Sequence, residues 1–224
     1  MISRAKLASM IDHSVLRPDS TDEDVKKACS LAIDLGLAAV VVNPAHIPTV
    51  AAILRGSAVK TCSVISFPFG LSTTEAKAAE AKSVLAEGAE EIDMVMNFSA
   101  LRSGIRDYVL NDIRSVTELA RNAAKRIVVK VILETCYLNE TEKKQACLLA
   151  VEGGADFVKT STGFGSAGAT IEDVRLMKRT VGPKIGVKAA GGIRTAEQAV
   201  QMIEAGADRI GTSSSLSILE AMHT

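Results

Sequence analysis

Two lysines lie within short apolar runs that are typical of β-strands. Lys159 lies in the run 156–161. Lys188 lies at the corresponding place in the run 185–190. If these runs are neighbouring strands of a barrel, both side chains point toward one mouth, where like charge and partial desolvation lower the pKa of an ammonium group. Because a lysine with a lowered pKa attacks carbonyl carbons and forms Schiff bases, the pair predicts covalent catalysis on a carbonyl substrate.

A carboxylate and a third lysine interrupt two other apolar runs. Asp93 lies in 91–97 among Ile, Met and Val, where a carboxylate without a partner is costly to bury. It is either an active-site residue or one that caps a loop or pairs with a surface lysine. Lys130 is the rival to the lysine pair. It lies earlier in its strand, two pleats below Glu134, and this position predicts a deeper, hydrogen-bonded side chain.

Glycine-rich loops follow three of the predicted strands and indicate a phosphate site. They are 160–165, 191–194 and 211–214. Loops after the seventh and eighth strands are the usual phosphate cradle of a (β/α)8 barrel. Glycines let backbone N–H groups approach an anion, and a helix N-terminus adds a favourable dipole. The alternative is that these glycines only turn tight corners.

Short β-branched runs alternate with segments of helical period along the whole chain, which predicts one repeated strand–helix unit. Four glycines, at 36, 88, 154 and 206, each separate a helical segment from the next strand, as expected of a helix C-terminus. An α/β fold follows, a single-domain (β/α)8 TIM barrel over 1–224. The competing doubly wound sheet lacks a Gly-x-Gly-x-x-Gly turn after any early strand. The predicted strands are 9–13, 38–43, 60–66, 91–97, 127–134, 156–161, 184–189 and 209–212, and the predicted helices are 21–35, 45–55, 73–87, 107–125, 140–152, 170–181, 195–205 and 214–222.

Composition excludes several function classes. Twenty-six basic residues balance 26 acidic ones, so no electrostatic footprint predicts a nucleic-acid or membrane partner. No apolar run approaches the ~20 residues that span a bilayer. The four cysteines are widely spaced and the histidines form no ligand cluster, so no metal site is expected. We therefore expect a soluble, cytoplasmic protein in which His13 and His46 are structural or loop residues.

Several sequence blocks together resemble the class I deoxyribose-phosphate aldolases, and the resemblance runs over nearly the whole chain. The two most diagnostic blocks are 157–165, which contains Lys159, and 186–194, which contains Lys188. Either block would be unusual by chance, and here both occur in register. The other matching blocks are 11–14, 43–44, 66–70, 91–95 and 130–135.

The resemblance implies a reaction and a role for each site residue. The reaction is reversible cleavage of 2-deoxy-D-ribose 5-phosphate to D-glyceraldehyde 3-phosphate and acetaldehyde, without a metal or other cofactor, in a homodimer or homotetramer. Lys159 would form the Schiff base, Lys188 would lower its pKa and relay protons, and Asp93 would exchange protons through an ordered water. The implied phosphate contacts are Gly163, Gly191, Gly192, Arg194, Ser213 and Ser214, and Asp12 and Ser14 would line the sugar side of the pocket.

Two other functions remain open at this point. Another phosphosugar-acting barrel, of transaldolase-like or isomerase type, would need a lysine on a different strand or a carboxylate base. A non-catalytic sugar-phosphate-binding domain would keep the glycine-rich loops but could dispense with Lys159.

Overall fold

Eight short runs of mainly Val, Ile and Ala form the strands of a closed parallel barrel, in which each strand pairs with its sequence neighbour and β1 closes on β8. The computed structural model describes residues 2–222. Both faces of each strand are covered, which suits branched apolar side chains. The strands are β1 Ile11–Val15, β2 Ala39–Val42, β3 Lys60–Ile65, β4 Glu91–Val95, β5 Val128–Ile132, β6 Phe157–Lys159, β7 Gly186–Ala190 and β8 Arg209–Thr212.

Helices that begin at polar caps surround the barrel. Thr21, Asn139 and Thr195 each form a capping box with the residue three positions later, which satisfies free N–H groups of the first turn. Gly36 ends the first long helix in the left-handed conformation. The α-helices of the described residues are α1 Arg4–Ala8, α2 Asp22–Leu35, α3 Ile47–Leu54, α4 Thr74–Ala86, α5 Phe98–Arg102, α6 Arg106–Arg121, α7 Glu140–Glu152, α8 Ile171–Val181, α9 Ala196–Glu204 and α10 Ser215–Glu220.

The predicted (β/α)8 barrel is confirmed, but several strand bounds are corrected. The fifth and sixth strands stop at Ile132 and Lys159, two residues before their predicted ends. The first strand is not 9–13, because Ser9 ends α1 by donating its backbone N–H to Ala5, and β1 starts only at Ile11. The fourth strand stops at Val95, because the side chain of Asn97 caps α5 instead of continuing the strand. The helices α1 and α5 were not predicted because each is too short to show a helical period in the sequence. Of the predicted domain 1–224, Met1, His223 and Thr224 lie outside the described residues.

Strand register brings the charged side chains to one part of the barrel interior. Lys159 lies directly opposite Lys188 in the β6–β7 pair, and Asp93 lies opposite Lys130 in the β4–β5 pair. The β2 and β3 side contributes a small apolar cluster of Ala39, Val41, Cys62 and Val64. The main apolar core lies between the strands and the helices. Within residues 2–222, no helix is both long enough and apolar enough to cross a membrane.

Candidate active site

A cavity of about 670 Å³ opens among the loops that follow the carboxyl ends of the strands, the face where barrels of this type carry their chemistry. Asp93 does not line this cavity, and its side chain is fully buried. The structure places all the other predicted site residues in the cavity wall: Asp12, Ser14, Lys159, Gly163, Lys188, Gly191, Gly192, Arg194, Ser213 and Ser214.

Asp93 is the centre of the charged cluster, because three lysines converge on its carboxylate. Its Oδ2 atom accepts hydrogen bonds from Lys159 Nζ at 2.9 Å and from Lys188 Nζ at 2.6 Å. Its Oδ1 atom accepts one from Lys130 Nζ at 2.8 Å. Burial by itself raises the pKa of this carboxyl, but the three ammonium groups hold that pKa well below its ordinary value. The carboxylate is therefore charged and shared.

The three lysines differ in the direction of their pKa shifts. Burial lowers the pKa of Lys159, and the nearby charge of Lys188 lowers it further, while Asp93 opposes both effects. Burial also acts to lower the pKa of Lys188, but the carboxylates of Asp12 and Asp93 raise it overall. The pKa of Lys130 is raised well above its ordinary value despite burial, by Asp93 and further acidic neighbours. Lys159 is therefore the lysine of the cluster that is most easily deprotonated and can act as a nucleophile.

Lys130 lies one layer deeper in the barrel than Lys159, as its strand position predicts, since the partner of Lys159 on β5 is Ile132. It is fully buried, and its Nζ lies 2.5 Å from Glu91 Oε2. Two further charged residues, Arg209 and Glu91, belong to this layer and were not singled out by sequence reasoning. Arg209 donates from Nε to Asp12 Oδ1 at 2.7 Å and from Nη2 to Glu91 Oε2 at 3.1 Å. Alternation along β4 offered one signal, since Glu91 and Asp93 share a face.

The glycine-rich loops pack directly on one another at the mouth of the cavity. Gly191 has a φ of +91°, and a Cβ atom there would come within 3.0 Å of Gly168 Cα and 3.3 Å of Ser161 Cβ. The positive φ and this close approach together favour glycine, and glycine-rich turns of this kind can present backbone N–H groups to an anion. Arg194 is exposed, its backbone N–H donates to Gln198 at 2.8 Å, and its guanidinium forms no ion pair with any residue that the structure describes. It is free to meet a phosphate.

Glu134 is a further residue that sequence reasoning did not single out. It follows β5 with a left-handed backbone (φ +55°), which is unusual for a residue with a side chain. Its buried carboxylate accepts hydrogen bonds from the hydroxyl and the backbone N–H of Thr162, the latter at 3.2 Å. Burial raises the pKa of this carboxyl although the bonds from Thr162 oppose the shift. Glu134 therefore holds the loop that carries Gly163.

The two described histidines lie outside the cavity wall. His13 Nδ1 is 2.8 Å from the hydroxyl of Ser215, and burial lowers the pKa of His13 to about 4. His46 lies 3.3 Å from a carboxylate oxygen of Asp22 at the start of α2. Among residues 2–222, no three His, Cys, Asp or Glu side chains form a group that could hold a metal ion.

Comparison with known proteins places this site in context. The family model described as "DeoC/LacD family aldolase" matches residues 6–221. A deoxyribose-phosphate aldolase of Carboxydothermus hydrogenoformans is 52% identical over 222 residues, covering 99% of this chain and 97% of the relative. One from Thermococcus kodakarensis is 54% identical over 221 residues and 98% of each chain. A solved structure described as the unique tetrameric structure of deoxyribose phosphate aldolase from Aeropyrum pernix matches with a TM-score of 0.91 and 37% identity, over 98% of this chain and 92% of that one.

Proposed function

This chain belongs to the DeoC/LacD family of aldolases, and we propose that it cleaves 2-deoxy-D-ribose 5-phosphate reversibly to D-glyceraldehyde 3-phosphate and acetaldehyde. One observation carries the proposal: a buried lysine with a lowered pKa lies at the base of a cavity whose rim is rich in glycine loops. That lysine, Lys159, lies within 2.9 Å of a shared carboxylate.

The first chemical step needs the neutral amine of Lys159. Its lone pair attacks C1 of the open-chain sugar to give a carbinolamine. The hydroxyl of the carbinolamine takes up a proton through the Lys188 and water relay and leaves as water, and the resulting iminium carries the positive charge. Lys188 keeps its own charge through Asp12 and Asp93, so it favours the neutral form of its neighbour. The iminium is an electron sink that makes the following bond cleavage possible.

The second step breaks the C2–C3 bond. Asp93, acting through a water molecule and Lys188, takes the proton of the C3 hydroxyl. The electron pair of the C2–C3 bond moves toward the iminium nitrogen, so that glyceraldehyde 3-phosphate leaves and an enamine remains on Lys159. Protonation at C2 and hydrolysis then release acetaldehyde and restore the amine. Asp93 does not line the cavity, which is why we assign the exchange to a relay rather than to direct contact.

The loops at the cavity rim contribute orientation rather than chemistry. We assign the phosphate to backbone N–H groups of the glycine loops and to the free guanidinium of Arg194, and the sugar hydroxyls to Asp12 and Ser14. Phosphate binding holds C1 against Lys159, which converts a bimolecular attack into a local one. The phosphate contacts assigned here are Gly163, Gly191, Gly192, Arg194, Ser213 and Ser214.

Borohydride trapping tests the proposal. Incubation with acetaldehyde and borohydride, followed by peptide mass spectrometry, should place a two-carbon adduct on Lys159, and Lys159→Leu should show none. An adduct on Lys188 or Lys130 instead would reverse the assignment. Binding of the phosphosugar without an adduct or acetaldehyde release would indicate a binding domain, and conversion without acetaldehyde would indicate an isomerase or transaldolase-like enzyme.

We propose further that the chain forms a homodimer or homotetramer in the cytoplasm. The tetrameric relative at 37% identity supports the assembly. Sedimentation should give two or four times the 23.5 kDa of one chain, and a species of one chain at working concentration would refute it. Cell fractionation checks the location.

A further inference from the structure

Six side chains in the barrel interior form a closed ring in which negative and positive groups alternate. From Asp93, the ring passes to Lys188 at 2.6 Å, and from Lys188 to Asp12 at 2.5 Å. Arg209 Nε then donates to Asp12 at 2.7 Å, and its Nη2 atom donates to Glu91 at 3.1 Å.

Lys130 closes the ring. Its Nζ lies 2.5 Å from Glu91 Oε2 and 2.8 Å from Asp93 Oδ1. The five carboxylate and lysine side chains are at most 5% exposed, and the side chain of Arg209 is 15% exposed. The ring therefore balances three negative groups against three positive ones almost entirely out of water.

Lys159 is attached to this ring but is not part of it. It contacts Asp93 Oδ2 at 2.9 Å and no other carboxylate of the described residues within ion-pair distance. Since the ring is already balanced, Lys159 is the surplus cation, and a surplus buried charge is the one whose loss costs least. The charge balance of the ring thus favours a neutral amine at Lys159.

We propose that Arg209 and Glu91 are positioning residues for catalysis, which set the protonation state of Lys159 by closing the ring from below. This inference rests on the proposed role of Lys159 as the Schiff-base lysine. Neither residue lines the cavity, so neither touches the substrate. Both act through the lysines and carboxylates above them.

Other titratable groups lie near the ring, and none of them is substituted in the variants below. The thiol of Cys62 lies 3.3 Å from Asp93 Oδ1 and 3.5 Å from Lys130 Nζ, and burial raises its pKa, so it is neutral. Glu134 faces Lys159 from the end of β5, with its carboxylate bonded to Thr162. The charged residues at the mouth are Arg17, Asp19, Asp24 and Arg194.

Removing one charge from the ring should move the protonation of Lys159 in a direction set by that charge. Arg209→Met leaves three carboxylates against two ring cations, so the ammonium form is favoured and the titration of Lys159 moves to higher pH. Glu91→Gln removes a carboxylate and should move it to lower pH. Because each removed charge lies beyond the direct contacts of Lys159 in a partly screened interior, each shift is on the order of one pH unit. The double variant restores the balance and should return near the wild type.

Competitive labelling measures this protonation without requiring catalysis. The rate at which acetic anhydride modifies Lys159, followed by mass spectrometry across pH, reports the neutral amine directly. Arg209→Lys keeps the charge and is the matched control, with a profile within a few tenths of a pH unit of the wild type. Borohydride trapping with acetaldehyde, run in parallel, tests the Schiff base separately.

Opposite shifts of the Lys159 labelling profile in the two single variants support the ring, whether or not borohydride trapping succeeds. Shifted labelling profiles without a trapped adduct would refute only the proposed function. Overlaid profiles, or shifts of both variants in one direction as from a loosened barrel, would overturn the inference even if trapping succeeds. If Arg209→Met does not fold, Glu91→Gln alone decides: a shift to lower pH supports the ring, and no shift or a shift to higher pH overturns it.

Discussion

The number of carboxylates around each lysine separates three chemically identical side chains. Lys130 lies within ion-pair distance of three carboxylates, Lys188 of two and Lys159 of one. All three lysines are buried, so desolvation works against each ammonium, and only the neighbouring charges differ. The lysine with the weakest compensation also lines the cavity. The proposed nucleophile therefore lies in the wall of the proposed substrate cavity.

Lys188→Leu should nearly abolish turnover at neutral pH and let Schiff-base formation recover partly at alkaline pH. Without the Lys188 charge, Asp93 and Asp12 favour the ammonium form of Lys159, so more alkaline solution is needed to free its amine. The pH dependence of borohydride trapping measures this, and Lys159→Leu is the control that cannot recover. A Lys188→Leu profile that overlays the wild type would leave only a proton-relay role for Lys188.

Arg194→Ala should weaken cleavage of the phosphorylated sugar more than that of 2-deoxyribose. The guanidinium is exposed at the cavity rim and unpaired within the described residues, and a hydrogen bond to a charged group contributes about 1.5–3 kcal/mol. We expect a loss of about tenfold to a hundredfold in kcat/KM for the phosphorylated substrate. Arg175→Ala on the outer helix α8 is the matched control. Equal losses for both sugars would assign Arg194 to the fold or to the chemistry.

At the scale of elements, the loops that follow neighbouring strands hold one another. The end of β5 supplies Glu134, which holds Thr162 in the loop after β6, and the Thr162 hydroxyl accepts the backbone N–H of Phe164 at 3.0 Å. The next contact joins the loops after β6 and β7, where Ala169 donates its backbone N–H to the carbonyl oxygen of Gly191 at 3.1 Å. A change at one loop is therefore transmitted through the neighbouring loops to the proposed phosphate site.

Glu134→Ala should raise the KM for the phosphosugar several-fold and leave trapping of Lys159 by acetaldehyde in place. The substitution leaves the buried Thr162 N–H without an acceptor, at a cost of about 1–3 kcal/mol, and loosens the loop that carries Gly163. Glu134→Gln keeps an acceptor oxygen and should be milder, with the same backbone strain. Steady-state kinetics with both variants checks this. A lower kcat with an unchanged KM would show instead that Glu134 acts on the chemistry.

The molecule as a whole separates its stabilising core from its charged interior. Buried ion pairs are weak evidence for stability because desolvation offsets their attraction. The apolar packing between strands and helices must therefore supply most of the folding free energy. His13 belongs to that outer packing, where it connects β1 to α10 through Ser215.

Acidification should destabilise the protein through His13. Burial lowers the pKa of His13 in the folded state from 6.5 to about 4, so between these values the unfolded chain binds more protons. The contribution of neutral His13 to the free energy of unfolding is therefore complete above pH 6.5. It falls progressively as the pH drops toward 4, by about 3 kcal/mol in all. Urea unfolding at pH 7, 5.5 and 4.5 measures the slope, which His13→Gln should reduce. An equal slope in that variant would assign the acid sensitivity to other groups.

Dialysis of the whole enzyme against a strong chelator should leave the cleavage rate unchanged. In the proposed mechanism the iminium on Lys159 accepts the electrons for which a metal-dependent aldolase uses a Lewis acid. The rate with 2-deoxy-D-ribose 5-phosphate before and after dialysis measures this, with re-addition of Zn²⁺ as the control. A loss that Zn²⁺ restores would contradict the Schiff-base mechanism.

The sequence by itself determined the structural features that depend on local residue types or on a periodic pattern of apolar residues. Alternating apolar runs and helix-ending glycines such as Gly36 predict the barrel, because strands and helices differ in their apolar period. Lysines at matching places on adjacent strands predict that Lys159 meets Lys188, since parallel neighbours keep their register. The short helices α1 and α5 escaped prediction because one turn and a cap carry too little pattern.

Only the tertiary structure decided which charges share which partners. Arg209 and Asp12 are 197 positions apart in the sequence, and Glu91 is 118 positions from Arg209. Their contacts exist because the barrel closes β8 onto β1 and points alternate side chains from opposite walls into one small interior. No local pattern records that convergence. For the same reason the sequence predicts a depressed pKa at Lys159 from Lys188, but the balance of the surrounding ring depends on distances that folding alone sets.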